Sequence, residues 1–364
     1  MSHTPKYIQI CDEIRGKILS GEYAIDEQIP TESSFQDLCN VSRHTVRHAI
    51  SLLVQDGYLR SEKGSGTYVS NEYTQKLSTD NNQKKIGIIT TYFSDYIFPS
   101  IIRGVEPVIS AEGYSLTIAS TENKFRLEKQ SLENMFLAGV DGLIVEPTQS
   151  SSLNPNLSYY MQLKELDIPL LMINAFYEEL ETPCLRIDDE LAGYKATNYL
   201  IAKGHTDIGV ISKTDDIQGK YRLRGYLKSI SEHRLNYKPD LTLYYDTATK
   251  ESLQLRITEY LFENREKLTA VVCYNDEVAL IVISACWNIG IKIPEELSII
   301  GTDNAKLMGT MGVNLTTLTH PQEKLGEDAA RWIINKIKNK KADNRLPLYD
   351  PELIEGDSVK IIRK

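Results

Sequence analysis

The sequence predicts an α/β protein with two parts: an N-terminal winged helix-turn-helix and a C-terminal domain of two lobes with parallel sheets. Helical patterns joined by a tight turn, and then a short hairpin, fill residues 1–70. A polar stretch at 71–85 indicates a linker. Over residues 86–364, buried strands alternate with helices, as in parallel sheets with right-handed crossovers. This pattern is too long for one open sheet, so we expect two lobes with a cleft between them.

Composition narrows the class of protein. The chain has 364 residues, 41% hydrophobic and 25% charged, which is typical of a soluble protein with two or three domains. Its net charge is -9, so any affinity for nucleic acid depends on local placement of basic residues. The five scattered cysteines indicate reduced thiols and a cytoplasmic location. No apolar run approaches the ~20 residues of a membrane span, and we expect no membrane partner.

Three helices are predicted before residue 58. The first has an apolar stripe and ends at Gly21. Thr31 is suited to cap the second helix, and Asn40 to the left-handed turn that ends it. Ser42 is suited to cap the third. Apolar residues of this third helix recur at the spacing of a buried face: Val46, Ala49, Ile50 and Leu53.

The third helix has the chemistry of a DNA-reading helix. Arg43 and Arg47 are one turn apart and project from the face opposite the apolar stripe, with His44 and His48 beside them. An arginine can bond O6 and N7 of guanine with two parallel hydrogen bonds. Segments 58–60 and 67–69 predict a hairpin wing with Lys63 near its tip, within reach of the DNA backbone or minor groove. The alternative for each arginine is a surface ion pair.

Residues 5–70 resemble the GntR family of winged-helix repressors. The resemblance rests on the "IPTE" start, the "VSRHTVRHAI" helix, "DGYL" and the "GSGTYV" wing. It implies contact with double-stranded operator DNA. The residues expected to make or position this contact are Lys6, Glu32, Ser42, Arg43, His44, Thr45, Arg47, Lys63, Gly64 and Gly66.

Polar residues that follow the predicted strands of residues 86–364 predict a second site. In parallel sheets, ligands collect at the carboxyl ends of the strands. Carboxylates, amides, an arginine and aromatic rings together suit a sugar, whose hydroxyls donate and accept while its ring faces stack. The candidate set is Tyr92, Asp95, Tyr96, Glu146, Asn174, Arg222, Asn275 and Asp303. For Glu146, Asn174 and Asn275, a strand-end cap is about equally expected, and Asp188 and Asp189 are interpreted as cap residues.

Residues 86–320 resemble the LacI/GalR effector domain, which is related to periplasmic sugar-binding proteins. The motifs are "DGLIVEP", "IPLLMIN", "RLRGY", "VVCYNDEVAL" and "IPEELSIIGTDN". The resemblance implies that Arg222 and Asp303 bind effector hydroxyls, and that Asn174 and Asn275 line the cleft. A GntR-type head on this domain, with "TTYFSDYIFPSIIRG", resembles the arabinose-responsive repressors of Gram-positive bacteria. Only that resemblance indicates L-arabinose rather than another pentose or hexose.

Three classes of function are to be weighed against the sequence. The first is a sugar-released repressor that binds its operator as a homodimer. The second is a sugar-binding protein without a regulatory role, against which the helix-turn-helix argues. The third is an enzyme, but the sequence shows no nucleophile–base pair, no phosphate-binding glycine loop and no metal-ligand spacing. We therefore expect no catalysis, no cofactor and no metal.

Overall fold

The structure is a computed structural model that describes residues 5–73, 84–92, 96–305, 312–339 and 345–362. Helices and strands are numbered in chain order. Within these ranges the chain forms a small N-terminal head and two α/β lobes. No described helix has the length and apolar character needed to cross a bilayer.

The head is a three-helix unit with a wing. Its elements are α1 (Lys6–Leu19), α2 (Glu32–Cys39), α3 (Arg43–Gln55), β1 (Leu59–Glu62) and β2 (Gly66–Val69). The predicted caps are confirmed: Thr31 accepts from the backbone N–H of Ser34, Ser42 accepts from that of Thr45, and Asn40 is left-handed with φ of 48°. These caps fix where α2 ends and α3 begins, so the angle between the two helices is set locally.

The wing strands are longer than the sequence analysis predicts. Antiparallel pairing runs from Leu59 opposite Val69 to Glu62 opposite Gly66. The predicted six-residue loop at 61–66 is therefore reduced to 63–65, since its outer residues join the ladder. A loop this short suits glycine at its left-handed position, and Gly64 has φ of 83°.

The lobe nearer the head, called the N-lobe, contains a six-stranded parallel sheet. Its strand order is β13-β7-β6-β5-β3-β4. The strands are β3 (Lys84–Thr90), β4 (Tyr114–Ser120), β5 (Gly142–Val145), β6 (Leu170–Ile173), β7 (Cys184–Ile187) and β13 (Leu348–Tyr349). Its helices are α4 (Phe98–Ala111), α5 (Phe125–Ala138), α6 (Leu157–Glu165) and α11 (Gln322–Lys338).

The second lobe, called the C-lobe, contains a four-stranded parallel sheet in the order β11-β10-β8-β9. Its strands are β8 (Ile208–Lys213), β9 (Thr242–Tyr245), β10 (Ala270–Cys273) and β11 (Ser298–Ile300). Its helices are α7 (Asp189–Ala202), α8 (Ile217–Glu232), α9 (Leu253–Asn264) and α10 (Asp276–Ile289). A short antiparallel pair, β12 (Thr317–Leu318) and β14 (Leu353–Ile354), lies at its side.

The chain passes between the lobes at three points within the described residues: after β7, after β12 and after β13. Each lobe is therefore built from segments far apart in sequence. Polar residues at the ends of β3, β5, β8, β10 and β11, or within three residues after them, line one cavity, so the carboxyl ends of strands from both sheets meet there. This arrangement places the strand-end residues of the sequence analysis on two sides of one cleft.

The head also packs against the N-lobe. Buried residues of the head and of the N-lobe form one continuous apolar cluster. The hydroxyl of Tyr159 on α6 lies 3.3 Å from the carbonyl oxygen of Gly16 in α1 and donates to Glu133 on α5 at 2.7 Å.

The ends of the predicted 71–85 linker belong to ordered structure. Tyr73 is buried and stacks on Tyr58, with ring centroids 4.6 Å apart, and Lys84 and Lys85 begin β3. Residues 74–83 of that predicted linker lie outside the described residues.

Candidate functional site

Helix α3 is amphipathic in three dimensions. Its apolar face, Val46, Ala49, Ile50 and Leu53, is buried in the head. Ser42 accepts from the Thr45 backbone N–H at 3.2 Å, and the two hydroxyls lie 2.9 Å apart. The polar side chains of Ser42 and Thr45 are therefore used to start the helix, while the face opposite the core points to solvent.

On the exposed face of α3, two arginines form ion pairs with the same glutamate. Arg43 Nε lies 3.0 Å from Glu32 Oε2, and Arg47 Nε lies 3.3 Å from Glu32 Oε1. Their side chains remain 69% and 66% exposed. Exposed ion pairs contribute little to stability. Glu32 therefore orients both guanidinium groups at little cost, and both are accessible to a phosphate or a base edge.

Other predicted DNA-contacting residues lie on the same small domain. Lys6 is exposed, with Nζ 3.4 Å from the carbonyl oxygen of Asn40 in the turn between α2 and α3. His44, Lys63 and Gly64 are exposed.

Gly66 has a packing role in the wing. A Cβ at this position would lie 2.1 Å from Nε2 of Gln28, which itself bonds the Ser65 carbonyl at 3.0 Å. Gly66 also has a φ of 142°, which residues with side chains rarely adopt, so a substitution here would strain the wing even if Gln28 moved.

The second candidate site is a cavity of about 70 Å³ between the lobes. Six of the eight predicted effector residues line it: Tyr92, Tyr96, Glu146, Arg222, Asn275 and Asp303. Asp95 lies outside the described residues. Asn174 is buried behind Glu146 and is not part of the cavity wall.

Arg222 is the centre of the cavity's polar network. Its Nε donates to Asp189 Oδ1 at 2.9 Å, its Nη2 to Asp303 Oδ1 at 3.2 Å, and its Nη1 to the carbonyl oxygen of Tyr274 at 2.7 Å. The guanidinium also lies 5.1 Å from the centre of the Tyr274 ring. A buried cation is tolerated when it is paired and hydrogen-bonded in this way. The network offers a ligand hydroxyl both donors and acceptors at one point.

Asp189 belongs to this network, although the sequence analysis interpreted it as a cap residue. Asp188 alone caps α7, by accepting from the Leu191 backbone N–H at 3.0 Å. Of two adjacent carboxylates at a helix start, only one sits at the N-cap position, so the other is free for a tertiary partner. The sequence therefore did contain a signal for Asp189, namely a second carboxylate beside the capping one. Burial raises the pKa of Asp189 to about 6, although Arg222 acts to lower it.

Glu146 is a buried carboxyl on the N-lobe side. It accepts from the Thr91 backbone N–H at 3.0 Å, from the Thr91 hydroxyl at 2.5 Å and from the Asn174 amide at 3.0 Å. Burial raises the pKa of Glu146 to about 7, although these hydrogen bonds act to lower it. Its side chain therefore changes protonation near neutral pH.

Asn174 and Asn275 mainly hold neighbouring groups in place. Asn275 caps α10 by accepting from the Val278 backbone N–H at 3.0 Å, and its side chain also meets the cavity. Asn174 bridges Glu146 and His320, whose Nε2 lies 3.0 Å from its Oδ1. Burial lowers the pKa of His320 to about 4, so its neutral ring donates to Asn174. His320 had no sequence signal, because its partner is 146 residues away.

A second polar cluster joins the lobes at the side of the cavity. Lys213 Nζ lies 2.6 Å from Asp215 Oδ1 and 2.7 Å from Asp216 Oδ2. Asn123 of the N-lobe donates to the Thr247 hydroxyl of the C-lobe at 2.6 Å and lies 3.4 Å from both carboxylates. Lys213, Asp216 and Asn123 line the cavity, so they extend the predicted effector set.

Known protein families match both the head and the two-lobed part of the chain. Residues 6–69 match the bacterial regulatory proteins of the gntR family, and residues 197–359 match a periplasmic binding protein-like domain. An arabinose metabolism transcriptional repressor of Geobacillus stearothermophilus is 41% identical over 361 residues and matches over 98% of each chain. The repressor of the same name from Halalkalibacterium halodurans is 41% identical, over 96% of this chain and 95% of its own.

A solved structure supports the same fold. The crystal structure of the transcription regulator CcpA of Lactococcus lactis superposes with a TM-score of 0.68 at 25% identity. It covers 77% of this chain and 100% of its own. The repressors matched over the full length are regulators of transcription and not enzymes.

Replacing Glu146 by Gln should flatten the pH dependence of stability. Between about pH 4.5 and 7 the native carboxyl holds a proton that the unfolded chain has lost. The free energy of unfolding therefore falls as pH rises through this window, by at most about 1.4 kcal/mol per pH unit for one group. Urea unfolding at several pH values measures the slope. Asp189 and Asp276, whose pKa burial raises to about 6 and about 7, should retain part of it.

A surface variant, Glu251→Gln, is the matched control and should keep the wild-type slope, because Glu251 is exposed. An unchanged slope in Glu146→Gln would show that the native carboxyl is already ionised.

Proposed function

The chain belongs to the family of arabinose metabolism transcriptional repressors, and we propose that it binds operator DNA as a homodimer that L-arabinose releases. The observation that carries the proposal is the pairing of an exposed arginine face on α3 with a cleft whose buried Arg222 joins carboxylates of α7 and of the segment after β11. The first is suited to a duplex, and the second to a polyhydroxylated ligand.

The DNA half of the proposal is supported by α3. Its polar face carries Arg43 and Arg47 without competing packing, and Glu32 holds the two side chains side by side. Two arginines one helical turn apart suit adjacent base edges or phosphates of a major groove. The wing tip at Lys63 provides a second cation for the backbone beside that groove.

The effector half is supported by the chemistry of the cavity. Arg222 and Asp303 offer a donor and an acceptor, Glu146 adds a second acceptor, and Tyr92 adds an aromatic face. Sugars are recognised by such combinations of paired polar groups and ring stacking. The relatives are named for arabinose metabolism, which supports L-arabinose among the sugars of suitable size.

The homodimer is supported by an exposed apolar face on α9. Leu255 and Phe262 lie two turns apart and so share one side of the helix, and their side chains are 61% and 73% exposed. Exposed apolar side chains of this size grouped on one face are typical of a protein–protein contact. A two-fold dimer would present two copies of α3 to two half-sites.

Sugar binding must act on DNA through a difference between two arrangements of the dimer. The effector weakens operator binding if it favours an arrangement of the lobes that spaces the heads wrongly. By linkage, operator DNA then weakens sugar binding by the same factor.

Replacing Arg47 by Ala should weaken specific operator binding by about 1–3 kcal/mol, the typical contribution of an arginine that reads a base. A gel-shift or fluorescence anisotropy titration at fixed salt measures the change. Arg224→Ala is the matched control, because Arg224 is an arginine of similar exposure, 68%, paired with Glu190 on the C-lobe. Equal affinity of Arg47→Ala and wild type would remove Arg47 from the DNA site.

Replacing Arg222 by Ala should abolish the sugar response while sugar-free operator binding persists. The lost hydrogen bonds to ligand hydroxyls involve a charged donor, and each is worth about 1.5–3 kcal/mol. Because Arg222→Ala also leaves two buried carboxylates without their cation, Asp303→Asn provides a second variant of nearly the same shape. Calorimetry with L-arabinose measures binding, and normal affinity in both variants would contradict the cleft assignment.

Replacing Phe262 by Glu should convert the dimer to a monomer at micromolar concentration, because a charge would be buried at the contact. Sedimentation velocity measures the change. Leu153→Glu is the control: Leu153 is 75% exposed on the N-lobe, and its variant should remain dimeric. A dimer that survives Phe262→Glu would place the contact elsewhere.

A further inference from the structure

Tyr96, which precedes α4 of the N-lobe, reaches across the cleft to the C-lobe. Its hydroxyl donates to Asp303 Oδ2 at 2.5 Å and accepts from the Asp276 backbone N–H at 3.2 Å. It also lies 3.2 Å from the carbonyl oxygen of Thr302. One phenol therefore makes the contacts that a hydroxyl of a bound polyol would be expected to make with this part of the C-lobe.

The contact uses the acceptor that the effector needs. Asp303 Oδ1 is engaged by Arg222 Nη2 at 3.2 Å, and Oδ2 is engaged by Tyr96. A sugar hydroxyl can bond Oδ2 in the same geometry only after the phenol has left.

The size of the cavity also indicates that Tyr96 must move before a sugar can bind. Its volume is about 70 Å³ with Tyr96 in the wall, whereas small-molecule sites usually measure roughly 300 Å³ or more. A sugar therefore enters only if the wall moves. Tyr96 is one of the wall residues that join the lobes, through its side-chain bond to Asp303, and Asn123 is another, through Thr247.

The backbone of Tyr96 is in an unfavourable region. Its φ is 64°, which is rare for a bulky L residue. Such conformations persist where surrounding contacts hold them, and they concentrate at ligand clamps and switch regions. Here the contacts that restrain the Tyr96 backbone are the hydrogen bonds of its side chain to the C-lobe.

We propose that Tyr96 is an internal competitor for the effector: its phenol occupies the hydrogen-bonding place on Asp303, and the sugar binds by displacing it. This inference rests on the proposed function of the cleft as a sugar site. It revises the role given to Tyr96 by the sequence analysis, in which the residue contacts the ligand directly. The competitor lowers the apparent affinity for the sugar, because only the fraction of molecules in which the phenol has left Asp303 can bind it.

The test is the affinity of Tyr96→Phe for L-arabinose, measured by isothermal titration calorimetry on the full chain. Deleting the hydroxyl removes the bond to Asp303, and a hydrogen bond to a charged group is strong enough that affinity should rise about tenfold. Tyr96→Gly, which also removes the ring and the unfavourable φ, should bind at least as tightly. Tyr194→Phe is the matched control: it deletes a phenol–carboxylate bond of 2.7 Å to Glu232 on the C-lobe surface, and it should bind like wild type.

The outcomes are distinct. Tighter binding in Tyr96→Phe, with Tyr194→Phe unchanged, supports the competitor. Unchanged or weaker binding in Tyr96→Phe overturns it, and leaves the sugar site intact if Asp303→Asn has lost affinity. A wild-type chain that takes up no L-arabinose overturns this inference for that sugar together with the proposed effector.

Discussion

The buried guanidinium of Arg222 is the interaction on which the cleft depends. It comes from α8, and its partners come from α7, the end of β10 and the segment after β11. An unpaired cation at this depth would cost several kcal/mol, so these segments must meet in one arrangement. Glycines allow that meeting: a Cβ on Gly193 of α7 would lie 1.9 Å from the Arg222 carbonyl oxygen, so α7 and α8 pack backbone to backbone.

The architecture then turns a local network into a site between two bodies. The chain crosses between the lobes three times within the described residues, and strand ends from both sheets line one cavity. Short polar segments after each strand can therefore vary without disturbing the sheets, whose central strands β5, β8 and β10 are buried throughout. The same division occurs in the head, where the apolar face of α3 is fixed by the core and the opposite face is free to recognise a partner.

Much of this organisation could be predicted from the sequence, because it rests on local signals. Caps at Thr31 and Ser42 located the helix-turn-helix, and the rule that ligands collect after parallel strands found six of the residues that line the cavity. The remainder depends on tertiary partners. Asp189 has a role in the site because it faces Arg222, and Asn174 is left out of the cavity wall because it lies behind Glu146. Both outcomes depend on residues distant in the sequence. The reach of Tyr96 across the cleft follows from the distance between the lobes, which no sequence pattern encodes.

Helix α5 has contacts with both functional halves: with the C-lobe at its start and with the head further along. Just before its first turn, Asn123 is bonded to Thr247 of the C-lobe, and further along Glu133 receives the hydroxyl of Tyr159 beside Gly16 of the head. About 12 Å of helix separates Phe125, the first residue of α5, from Glu133. A hydrogen-bonded helix bends little. A displacement at the end of α5 beside the cleft would therefore also move the end beneath the head. A rotation of the C-lobe that displaces Asn123 would shift the α5 and α6 residues against which α1 packs. The lobes could then influence the head by a route that does not involve residues 74–83.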